Sequence, residues 1–366
     1  MEFVFSDEHE ALRSMVREFC ADRSAEADVR RVMAMSEGFD AQVWQALADL
    51  GLTGLAIPEN YGGAGFGPIE VGIVMDEAGA ALLCAPYLSS VVLGAGALLA
   101  AGDPAANERY LPQLAAGSLR ATFALPENDS AASGIDAAET TAGWRLTGEA
   151  HHVLDAATAG LLLLVADSPA GPSLFAVEAG APGVEAAAAQ SMDATRRQAR
   201  LRLADAPAHL VGAVGAAGDV VAAVRGSALA LLAAEQVGGA QRALDMAVQY
   251  AQLRVQFGRP IGSFQAIKHK CADMLVRVES ARSAAYHALW SAADDRPDRS
   301  RAAAVAAAYC AQAFYHCAEE NILIHGGVGY TWEHPAHLYY KRAVADRVLF
   351  GDRAHEREQI AAGLGM

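Results

Sequence analysis

At 366 residues, 53% of them hydrophobic, the chain can bury large cores and form two or three domains packed as one unit, which excludes disorder. A formal net charge of -15 and a pI of about 5.1 exclude a general nucleic-acid-binding surface, because neutralising phosphates takes clustered Lys and Arg; a local basic pocket for one pyrophosphate stays open. The charged share is 19% and alanine is abundant, which favours long helices packed through small side chains.

Ser6 is the expected N-cap of a first helix, with Asp7 and Glu8 in its first turn and Leu12, Val16 and Phe19 at helical spacing. A second helix should hold Trp44, Leu47 and Leu50 and stop at Gly51. The following GLTGLAIPENYGGAGFG has the glycines and prolines of a loop that bends several times. Another helix is expected from about Pro68 to Leu83, and an Ala/Leu-rich one after Pro86. From about Ser118 the runs ATFAL, GWRLTGEA, GLLLLVA and SLFAV, separated by turn residues, predict a small antiparallel β domain. From about Asp219 the helical pattern returns, with breaks at 257–262, 294–298 and 326–335.

Helices, then strands, then helices predict an α+β fold with segregated domains: an N-terminal helical domain (1–117), a middle antiparallel β domain (118–218) and a C-terminal four-helix bundle (219–366). Cys20, Cys84, Cys271, Cys310 and Cys317 are odd in number and lack CxxC spacing, and the chain opens directly on an amphipathic segment. The expectation is a reduced, cytoplasmic protein without disulfides or a metal site. No apolar run reaches bilayer-spanning length without a charge, the nearest being the short stretch from Ser227 to Ala234, so no membrane is expected.

Three stretches, in order and at fitting distances, resemble the acyl-CoA dehydrogenase family of flavoproteins. They are WQALADLGLTGLAIPENYGGAGFG (44–67), GGAQRALDMAVQYAQLRVQFGRPIGSFQAIKHKCADM (238–274) and ILIHGGVGYTWEHPAHLYYKRA (322–343). The resemblance implies FAD-dependent α,β-dehydrogenation of an acyl-CoA in lipid β-oxidation, with an electron-transferring flavoprotein as acceptor. In RVQFGRPI a helix should end near Arg254, and the turn sets a guanidinium, which can pair with a diphosphate in bidentate fashion, beside an aromatic ring. The resemblance assigns FAD contacts across a subunit boundary to Arg254, Gln256, Phe257, Ile261 and Gln265. The bland alternative is an arginine complementing the helix dipole, with Phe257 in the core. Gly326 and Gly327 remove side chains where a backbone or ligand comes close, and the resemblance lays them against the ADP half of FAD. Gln is usual in that family where this chain has Leu323, which cannot donate the amide contact.

The middle region departs from the family. Its flavin-holding T-E-P-x-A-G-S-D stretch is here ALPENDSAASGIDA, with Pro126 and Glu127 kept and Ser133 and Asp136 as remnants. A Trp-x-Thr set beside the flavin ring is replaced by Val153, Leu154 and Asp155. The base is missing as well. Abstraction of a thioester's α proton requires a carboxylate of raised basicity. One branch of the family places Glu where this chain has Phe350, and the other where it has Ala228. Asp352 reads as the cap of the next helix, Glu235 as a buried, bonded carboxylate, and His325 as a packing residue, with a pairing to Glu333 or Asp273 as its functional alternative. The catalytic residue is therefore unassigned.

Three readings follow. The chain is the base-lacking partner of a homologous sister subunit in a heterotetramer, like the partner subunits found among relatives from sterol-degrading bacteria; or a homo-oligomer that dehydrogenates an acyl-CoA with an unconventional base; or a scaffold that keeps the fold without flavin. The losses fall on the base and the ring pocket while RVQFGRPI is intact, which favours the first.

Overall fold

The computed structural model describes residues 5–126, 134–351, 357–358 and 360–361. Glu127, Ser133 and Asp352 lie outside them. The chain divides into two compact units, one of Met1–Arg31, Pro68–Leu83 and Leu229–Met366, the other of Val32–Gly67 and Cys84–Ala228.

The first unit is helical. Its α1 (Asp7–Arg23) begins in a reciprocal capping box: Ser6 Oγ accepts from the His9 amide, and the His9 ring takes the Ser6 amide. Arg13 then reaches Asp76 (3.0 Å) and Glu77 (3.3 Å) on α4 (Pro68–Ala80) and the Tyr286 hydroxyl (2.8 Å). After α2 (Glu26–Met33) and α4, the unit is completed by the greater part of a 37-residue helix, α7 (Ala217–Leu253), and by α8 (Gln265–Ala293), α9 (Arg299–His325) and α10 (Ala336–Asp346). The breaks between these four coincide with those expected at 257–262, 294–298 and 326–335.

Small residues set the helix spacing, as the alanine-rich composition implies. A Cβ on Gly238 of α7 would overlap the Asp76 carbonyl oxygen of α4, and one on Gly79 would overlap the Glu235 carbonyl, so the two backbones lie in contact. Among the described residues α7 alone is long and apolar enough to cross a membrane, a property missed by the sequence reading, which stopped at the charge of Glu235. Of its most apolar window 67% is buried inside the protein, as in a core helix. Glu235 is compatible with that interior because Arg342 of α10 lies 2.6 Å away.

The second unit starts with α3 (Ala41–Asp49), which buries Trp44 and Leu47 while Leu50 is its exposed C-cap. Trp44 Nε1 donates to Gly117 O at 2.8 Å. The stretch after Pro86 forms a π-helical turn, Leu88–Ala95, that runs into α5 (Gly96–Ala101), followed by α6 (Pro104–Ala115). Seven strands follow: β1 (Ala121–Ala124), β2 (Ile135–Thr140), β3 (Gly143–Leu154), β4 (Leu161–Ser168), β5 (Gly171–Glu178), β6 (Val184–Ala188) and β7 (Gln198–Val211). They make one sheet in the order β1-β4-β2-β3-β7-β5, which closes because β4 also pairs with β5; β6 lies on β7. Leu146, Leu162, Leu164, Phe175, Leu201 and Leu203 fill its core. The sheet is mixed rather than wholly antiparallel, since β1 and β2 both run parallel to β4. Those pairings join strands distant in sequence, which local alternation cannot reveal.

Candidate cofactor and subunit site

The intact motif forms a β-hairpin beyond the end of α7. Arg254 N bonds back to Tyr250 O (2.8 Å), Ile261 N to Arg254 O (2.8 Å), and β8 (Val255–Gln256) pairs with β9 (Arg259–Pro260). Phe257 and Gly258 have φ of 53° and 75°, the two left-handed residues of a tight hairpin turn. Phenylalanine pays for that conformation, at roughly 1–3 kcal/mol, although the residue is 93% exposed. The bland expectation that Phe257 belongs to the core is therefore wrong. Arg254, Gln256 and Gln265 are exposed too, and Ile261 is half-buried. Arg259 lies over the Phe264 ring at 4.2 Å, and Phe264 meets Phe257 edge-on at 6.1 Å, so the base of the hairpin is braced while its tip stands in solvent.

The glycine turn follows α9. Gly326 has φ 62° and ψ -138°, a conformation essentially confined to glycine. A Cβ on Gly326 or Gly327 would meet nothing within 4 Å, so both present bare backbone to open space. Around them Leu323, Val328 and Tyr330 are exposed, with Leu323 at 47% offering an apolar surface in place of an amide.

His325 pairs with neither Glu333 nor Asp273. Its Nδ1 donates to Asn321 O (2.8 Å), and its ring stacks on Tyr250 and approaches His334, both at a centroid distance of 4.2 Å. Burial pushes the His325 pKa down, with the bond to Asn321 opposing; His334 is lowered by burial and then by His325. Tyr250 and His334 went unnoticed in the sequence, where the histidines at 325, 334 and 337 were the available signal.

The FAD fit is split. The hairpin and glycine turn match the donors the resemblance assigns to the pyrophosphate and adenosine half: an exposed guanidinium, an exposed ring and bare backbone. The ring-pocket positions do not fit. Val153 and Leu154 are buried, and the Asp155 carboxylate is engaged by the Ser89 hydroxyl at 2.6 Å, leaving no aromatic shield and no free hydroxyl. Pro126 O accepts from the buried Arg225, and Asp136 is exposed on β2. Neither base position carries an acid: Ala228 is fully buried and Phe350 half-buried. Glu235 is ion-paired with Arg342, as a structural carboxylate should be. Among the described residues no group of three or more His, Cys, Asp or Glu could hold a metal.

Two family models match the chain: acyl-CoA dehydrogenase, N-terminal domain, over residues 6–118, and acyl-CoA dehydrogenase, C-terminal domain, over 228–365. The acyl-CoA dehydrogenase IpdE2 of Mycobacterium tuberculosis is 36% identical over 92% of this chain and 91% of its own. The ChsE4-ChsE5 complex of the same organism contains a chain of 30% identity and TM-score 0.91, covering 100% of this chain and 99% of that one. A variant of the Tcur3481-Tcur3483 steroid ACAD matches at 30% identity and TM-score 0.89, over 98% and 99% of the two chains.

Proposed function

This chain belongs to the acyl-CoA dehydrogenase family of oxidoreductases, and from that premise we propose that it is the base-lacking subunit of a mixed assembly with a homologous sister chain. In this role Arg254, Gln256, Phe257, Ile261, Gln265 and the Gly326–Gly327 backbone hold the diphosphate and adenosine part of a FAD whose ring and catalytic base lie on the sister chain. When bound, FAD supplies the acceptor for the hydride leaving the β carbon of an acyl-CoA thioester; this chain's own groups bind and orient. The reading rests on one contrast: the hairpin is intact and its Phe257 ring is 93% exposed at a strained φ of 53°, while the ring-pocket residues are buried or already bonded. An aromatic ring so placed is explained by a second chain and cofactor that cover it. The two-protein complexes named among the solved relatives, one of them a steroid ACAD, support the same reading.

Expressed alone, the chain should purify without stoichiometric FAD. Co-expressed with a homologous dehydrogenase encoded beside it, it should form a yellow assembly that passes electrons to an electron-transferring flavoprotein, and Arg254→Ala in this chain should release the FAD. A chain that purifies alone with stoichiometric FAD and reduces an artificial acceptor with acyl-CoA would defeat the proposal.

A further inference from the structure

The loop 326–335, which carries the glycine turn, is held at both ends by imidazoles whose hydrogen bonds define their protonation. His325 precedes the loop. Its Nδ1–H is committed to Asn321 O, so in the neutral ring the other nitrogen carries the lone pair. His334 stands near the loop's far end, and its Nδ1 accepts the amide of Ala336, the first residue of α10 (3.2 Å). A proton on that nitrogen would set N–H against N–H and uncap the helix. The two rings are 4.2 Å apart, and Tyr250 of α7 stacks on His325 at 28°.

The charges facing this stack favour neutrality. Glu26 of α2 favours protonation of His334 and His337, as does the Trp332 backbone for His337; Arg30 of the same helix opposes it at both, His337 at His334 and Lys341 of α10 at His337. Lys341 Nζ sits 4.0 Å over the Trp332 ring, which in turn meets His337 at 4.7 Å. His337 Nε2 is buried with no hydrogen-bond partner, so a proton there would be poorly compensated. Glu333, within the loop, is exposed.

We propose that the Tyr250–His325–His334 stack is the positioning device of the Gly326–Gly327 turn, and that it holds the turn closed only while both imidazoles are neutral. Mild acid then opens the turn and loosens the subunit's grip on FAD. This rests on the reading of Gly326 and Gly327 given above. The linkage has a definite sign. Burial draws both imidazoles below the ordinary histidine value, so the closed stack is fully stabilised above about pH 6.5 and loses that stabilisation as pH falls through the depressed values.

The test uses the co-purified assembly. Amide hydrogen exchange at 326–330, corrected for intrinsic rates, is compared at about pH 7.5 and about pH 5.5, on either side of the ordinary histidine value, together with FAD retention on a desalting column. Exchange should be faster at the lower pH by about tenfold for each imidazole excluded from protonation in the closed form, so by up to about a hundredfold for the pair, and FAD should be lost in step. His334→Asn keeps an oxygen to accept the Ala336 amide but cannot titrate there, so the ratio between the two pH values should fall sharply. Tyr250→Leu, which removes one ring and adds no charge, should speed exchange at both pH values. Exchange that is flat with pH, or an acid response fully kept in His334→Asn, overturns the proposal whatever the flavin does. FAD retained despite Arg254→Ala overturns the functional reading instead, and the exchange data still judge the stack.

Discussion

Glu235 is the acid nearest in sequence to Ala228, one of the two positions where family members carry their base, and the structure separates its two possible roles. Its carboxylate lies 2.6 Å from Arg342 Nη1, with the two side chains 5% and 4% exposed. Glu235→Ala leaves the Arg342 guanidinium buried without that carboxylate, which should cost roughly 3–5 kcal/mol. That is a large part of the total of about 5–15 kcal/mol typical of a folded protein. Glu235→Gln keeps an acceptor oxygen and should cost less. The denaturant midpoint of the chain measures the first effect, and turnover per FAD in the assembly measures the second. A structural Glu235 predicts a lowered midpoint for both variants and turnover within about twofold of wild type for Gln, whereas a lost general base typically costs about 10²–10⁴-fold. A Glu235→Gln variant of unchanged stability and abolished turnover would refute the structural assignment.

Phe257→Asn should stabilise the isolated chain by about 1 kcal/mol, because Asn tolerates the left-handed conformation that Phe257 adopts; in the assembly the same change should weaken FAD retention, and a thermal melt beside a flavin assay checks both. Gly238→Ala should cost about 3 kcal/mol as the new methyl meets the Asp76 carbonyl. Gly226→Ala on the same helix has open space around it and should instead gain roughly 0.5–1 kcal/mol. Denaturation curves of the pair measure the difference.

What the sequence determined by itself is local. The Ser6 cap, the helix breaks and the turn at RVQFGRPI depend on residues within a few positions of one another, so short-range chemistry writes them directly, while the reciprocal bond from His9 and the strand pairing of the hairpin emerged with the structure. The absent carboxylates at Ala228 and Phe350 are legible in the same way, since a side chain that is not encoded cannot be supplied by folding. The parallel pairing of β1 and β2 with β4 required strands to meet across intervening chain, and the weakly hydrophobic β2, β6 and β7 gave little local signal beyond alternation.

Only the tertiary structure decided whether the signature motif faces the core or solvent. Phe257 could have been buried on its residue type alone; at the tip of a two-strand hairpin beyond α7 it stands in water. Tertiary packing likewise brought Tyr250 and His334 to either side of the helix end at His325, three rings separated by up to 84 positions in the chain. It also engaged Asp155 with Ser89. The physical reason is common to these cases: residue type limits which contacts a side chain can make, while packing decides which of them it finds.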